Sequence, residues 1–97
     1  MKRMKKTIEQ VEETVDRFLE LKEHSPWGLN PVPNLEEERQ HVRNICVSVL
    51  QTKWGVGYPG GSFVQAVVGN DLMGAFARAD SINQRHIGLY VELLYNN

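Results

Sequence analysis

Cysteine is almost missing from this sequence: Cys46 stands alone. One thiol cannot close an intramolecular disulfide, so the fold has to be held by packing, and a reducing compartment fits that usage. Charge of one sign is missing too. Eleven Lys and Arg stand against twelve Asp and Glu, a formal net charge of −1. That balance excludes a strongly basic nucleic-acid coat and a strongly acidic DNA mimic. No stretch approaches the ~18 apolar residues that a membrane span needs. The basic start, Met1-Lys2-Arg3-Met4-Lys5-Lys6, resembles the first part of a signal peptide. Thr7-Ile8-Glu9-Gln10-Val11-Glu12-Glu13 follows it, with neither an apolar run nor a small-residue cleavage site. The expected setting is therefore cytoplasmic.

Alternation of β-branched and polar residues is scarce as well. Val64-Gln65-Ala66-Val67-Val68 could form a strand in isolation, but helix-starting residues and helical spacing surround it. What the chain does contain is ordinary globular composition. Hydrophobic residues make up 41% and charged residues 24%, enough apolar mass for one small core over 97 residues. A core of this size stabilises only marginally, so association with another chain is a natural expectation.

Residues 7–24 predict a first helix. Thr7 and Gln10 have the spacing of a capping box, in which each side chain satisfies the other's free backbone N–H. Ile8, Val11, Val15 and Phe18 then repeat at helical spacing, with Met4 one turn upstream, as one apolar stripe on a charged helix. Residues 25–33 hold Pro26, Pro31, Pro33 and Gly28 and cannot continue that helix. This divides the chain into a 1–33 amphipathic helix with a proline-rich linker and a compact helical domain over 34–97.

Within 34–97, Asn34 is expected to cap a second helix that opens on Glu36, Glu37 and Glu38. Its buried face is Val42, Ile45, Cys46, Val49 and Leu50, with Trp54 closing it before a glycine-rich turn over 55–61. Ser62 paired with Gln65 starts a short third helix, which Gly69-Asn70 stops. Asp71 caps the fourth, whose inner side is Leu72, Ala75, Phe76 and Ala79. Asp80 or Ser81 caps the last, with Ser81 paired to Gln84. Its stripe is Ile82, His86, Leu89, Tyr90, Leu93 and Leu94. The expectation is an all-α fold: a small bundle of about five short helices, with the first packing on the rest or on a partner chain.

Residues with chemical potential each have a plainer reading. Glu38 and His41 are three apart, the Glu-x-x-His spacing of di-iron bundles, but no second copy exists and a solvated helix face explains them. Cys46 lies on the apolar face, five residues from His41, where a thiol acts as a small hydrophobe. Gly60-Gly61-Ser62 could offer backbone N–H groups to an anion but brings neither a Walker lysine nor a βαβ frame, which favours a simple turn. Helices three and four could form a helix-turn-helix, yet the second would open on Asp71, Leu72 and Met73, poor base readers. Arg39, Arg43, Lys53, Arg78 and Arg85 could still converge into a basic patch, which keeps nucleic-acid binding as the alternative. Trp27, Trp54 and Tyr58 flank the irregular loops, where aromatics serve either as pins or as interface anchors. His24 reads as an exposed helix end and His86 as a boundary residue.

A resemblance spans 34–97. Pro59-Gly60, Ser62-Phe63, Ala66-Val67, Asn70-Asp71-Leu72, Ala75, Ala79-Asp80 and Asn83 make a pattern similar to a segment of small proteins encoded by phages and prophages. Leu94-Tyr95-Asn96 resembles their continuation, whereas the Cys-Trp tail that often follows in them does not occur here. The resemblance implies a phage or prophage origin and no catalytic activity. Without it, Ser62, Asp71 and Asp80 read as three helix starts, and Ala66, Ala75 and Ala79 as points of close helix approach.

The resulting expectation is a non-enzymatic accessory or regulatory protein without cofactor or metal. It would bind a protein partner, a second copy of itself included, through Val11, Val15, Phe18, Trp27 and Tyr58. A nucleic-acid-binding transcriptional regulator is the alternative.

Overall fold

Apolar side chains recur at a pitch of three to four residues throughout the sequence, and the chain folds accordingly. The computed structural model describes residues 6–24 and 31–97. Five α-helices form among the described residues: α1 (Ile8–Glu23), α2 (Glu36–Trp54), α3 (Ser62–Val68), α4 (Leu72–Arg78) and α5 (Ser81–Asn96). No strand occurs among them. The protein is a small all-α bundle.

Local chemistry explains most of the boundaries. Thr7 accepts from the Gln10 amide at 3.2 Å while the Gln10 side chain accepts from the Thr7 amide at 2.8 Å, so the expected capping box forms. Asp71 caps α4 by accepting from the Gly74 amide, and Asp80 caps α5 by accepting from the Asn83 amide at 2.7 Å. At the end of α2, Gly55 takes the left-handed conformation at φ 68°. Asn70 does the same after α3 at φ 63°, and the Asp71 amide closes back onto the Ala66 carbonyl at 2.8 Å. This tight closure leaves only three residues between α3 and α4.

Two expected caps and one expected pairing do not form. The helical bonds of α2 begin from the Leu35 carbonyl, one residue later than expected, so Asn34 lies too far back for its side chain to reach the first amides. The start of α2 rests on Glu36, Glu37 and Glu38 against the helix dipole. Gly61, not Ser62, is the cap residue of α3, and Gln65 donates from its side chain to the Gly60 carbonyl at 2.8 Å. Close packing forces the turn there. A Cβ on Gly60 would come within 2.6 Å of the Val64 side chain, and the Gly60 amide donates to Thr52 Oγ1 at 2.8 Å. Gln84 does not pair with Ser81; its side chain donates to the Phe76 carbonyl at 3.3 Å, tying α5 to α4.

α2 is the central element and packs against α1, α3 and α5. α1 runs antiparallel to it, as Arg39–Glu23 and Arg43–Asp16 pair opposite ends of the two helices. α5 runs in the same sense as α2: His41 meets Asn83 near both starts, and Lys53 donates to the Leu94 carbonyl near both ends. The core collects Val11, Val15 and Leu19 from α1, Val42, Cys46, Val49 and Leu50 from α2, and Phe63, Val64 and Val67 from α3. Ala75, Ile87, Leu89, Tyr90 and Leu93 complete it. Phe63 meets the Tyr90 ring edge-on, centroids 5.9 Å apart. The radius of gyration, 13.1 Å, is close to the ~12.5 Å of a compact chain of this length.

Two expected faces are corrected. In α4 only Ala75 is buried, while Leu72 and Phe76 are exposed. In α5 the inner face takes in Asn83 and Ile87, with Ile82, His86 and Leu94 at its margin.

Candidate functional site

The residues expected to meet a partner go to three different places. Val11 and Val15 are completely buried, and Phe18 packs half-buried on the same core, so the α1 stripe is covered by the chain's own α2. The reason is sequence spacing: 11, 15 and 19 align over two turns, and α2 presents Val42, Cys46 and Val49 at matching pitch. Tyr58 stands almost fully exposed in the α2–α3 loop. Trp27, like Met4, lies outside the described residues.

An apolar surface forms elsewhere, along α4 and the outer side of α5. Leu72 is 44%, Met73 87%, Phe76 52% and Tyr95 88% exposed. Leu72 and Tyr95 line a shallow trough of about 500 Å³ together with Ile87, Gly88, Val91, Glu92 and Asn96. A second hollow of about 250 Å³ continues past Val91 and Tyr95 to Val67, Val68 and Lys53. The exposed side of α5 holds Ser81, Gln84, Arg85, Gly88 and Tyr95, with Glu92 half-buried beside them. Helical periodicity alone hid this surface, because Leu72 and Phe76 match the pitch of an inward face. A seven-residue helix lying at the edge can bury only one narrow strip, and Ala75 takes it.

The ionisable groups gather instead on the α2–α5 seam. Glu38 accepts from Arg85 Nη2 at 2.8 Å through one oxygen, and its other oxygen lies 2.8 Å from His86 Nε2. These contacts hold its carboxyl below the usual range, His86 contributing most. His41 Nε2 lies 3.2 Å from Asn83 Oδ1 and 3.4 Å from Asp80 Oδ2. Tyr90 donates to the same Asn83 oxygen at 2.8 Å, and burial pushes its phenol upward. The two residues of the Glu-x-x-His pair thus serve different partners on α5. Among the described residues no group of three or more His, Cys, Asp or Glu is arranged to hold a metal ion.

Cys46 is buried, and desolvation pushes its thiol up to about 12, which disfavours the nucleophilic thiolate. The basic residues are largely engaged: Arg39 with Glu23, Arg43 with Asp16 and Glu12, Arg85 with Glu38, and Lys53 with the Leu94 carbonyl. Arg43 also holds the Asp16 carboxyl below its ordinary range through their hydrogen bond. A polar cleft of about 210 Å³ between α1 and α2 is lined by Asp16, Glu20 and Glu23 facing Arg39 and Arg43. Among the described residues no helix is long and apolar enough to cross a membrane.

Compared with protein-family models, curated proteins and solved structures, the chain shows no significant match.

Proposed function

We propose that this chain is a small accessory or regulatory protein that acts by binding another protein chain, without catalysis, through the α4–α5 surface. The observation that carries the reading is the exposure of four large apolar side chains on α4 and α5, Leu72, Met73, Phe76 and Tyr95, of which Leu72 and Tyr95 line one trough. Contiguous apolar patches of several hundred Å² on small proteins mark interaction sites, whereas singly scattered apolar residues do not. Ile8, Leu21 and Leu35 are exposed in the scattered way.

Helix-in-groove recognition fits the shape: a trough beside an exposed ridge accepts an apolar helix face, with affinity from buried side chains at i, i+3 and i+4. A non-catalytic role is supported by the state of the reactive groups. The Glu38–His86 pair is consumed in joining two helices, and the thiol is enclosed. The resemblance of 34–97 to phage-encoded proteins agrees with an accessory part in an infected or lysogenic host cell.

A photo-crosslinking amino acid placed at Met73, at Tyr95 and, as control, at Glu13 on α1 tests the surface inside the producing cell. Adducts from 73 and 95 but not from 13 support it. No adduct from 73 or 95, or equal adducts from all three, overturns it.

A further inference from the structure

We draw no further inference here: the strongest candidate, the apolar trough between α4 and α5 lined by Leu72, Val91 and Tyr95, belongs to the surface already described, and nothing in the structure shows what covers it.

Discussion

Asn83 is 6% exposed, and its side-chain oxygen serves two partners, the Tyr90 hydroxyl and His41 Nε2. Tyr90 is completely buried, so its hydroxyl has no water to fall back on. A stranded buried polar group costs about 1–3 kcal/mol. Asn83→Ala should therefore lower unfolding stability by about 2 kcal/mol and Tyr90→Phe by about 1 kcal/mol. The double variant should lose clearly less than the sum, because it leaves only the half-exposed His41 ring without its Asn83 bond and no buried hydroxyl unpaired. Urea denaturation of the four proteins checks this; strict additivity would show that the bond is energetically silent. Glu38 gives a second prediction. Its carboxyl is lowered in the folded state by His86 and Arg85, so the unfolded chain takes up the proton first as pH falls. The contribution is full above the ordinary carboxylate value of 4.5 and is lost as pH falls through the depressed folded value. Glu38→Gln should flatten that part of the acid limb, read as denaturation midpoints between about pH 6 and pH 3. Parallel limbs for the two proteins would contradict it.

Among the elements, α1 and α4 exchange the parts that periodicity gives them. α1 has a strong apolar stripe and buries it on α2, helped at its edges by Arg43 with Asp16 and Glu12. Val15→Ala should cost about 2 kcal/mol through lost burial and the cavity left behind, seen as a lower denaturant midpoint. A change below about 0.5 kcal/mol would mean that α1 is not docked. α4 has the same alternation of large residues yet exposes Leu72 and Phe76, because it sits at the margin of the bundle. On α5, exposed Gly88 leads to a stabilising substitution. Gly88→Ala should raise stability by about 1 kcal/mol. Thermal or chemical melts decide it, and a loss would show that the glycine is needed inside the fold.

In the whole molecule, ties between distant parts of the chain make one cooperative unit. Lys22 reaches across 70 residues to Glu92, joining α1 to α5, and Trp54 Nε1 donates to the Asn97 carbonyl at 3.3 Å. Lys6 lies 4.6 Å from the Trp54 ring centre, linking the entry to α1 with the end of α2. Unfolding followed by tryptophan fluorescence and by far-UV circular dichroism should therefore superimpose, with α1 leaving in the same transition as 34–97. An earlier phase worth one helix of dichroism would show that α1 folds and unfolds apart from the rest.

How much of this was legible beforehand depends on the range of the interaction involved. Thr7 with Gln10, Asp71, Asp80, Gly55 and Asn70 start and stop helices through bonds reaching three to five residues, so local sequence sets them. The all-α class follows from the same short-range rules together with the apolar pitch. Pitch gives a direction on a helix but not what stands in that direction. Val15 and Phe76 carry equivalent signals, and only the placement of α2 beside α1, and of α4 at the edge, makes one core and the other surface. The seam of Glu38, His41, Asn83 and His86 was equally beyond reach, because its bonds span more than forty residues of chain between α2 and α5. Local chemistry determined the helices; the tertiary packing decided which apolar faces were used up and which one was left outward, because burial depends on neighbours that sequence distance does not reveal.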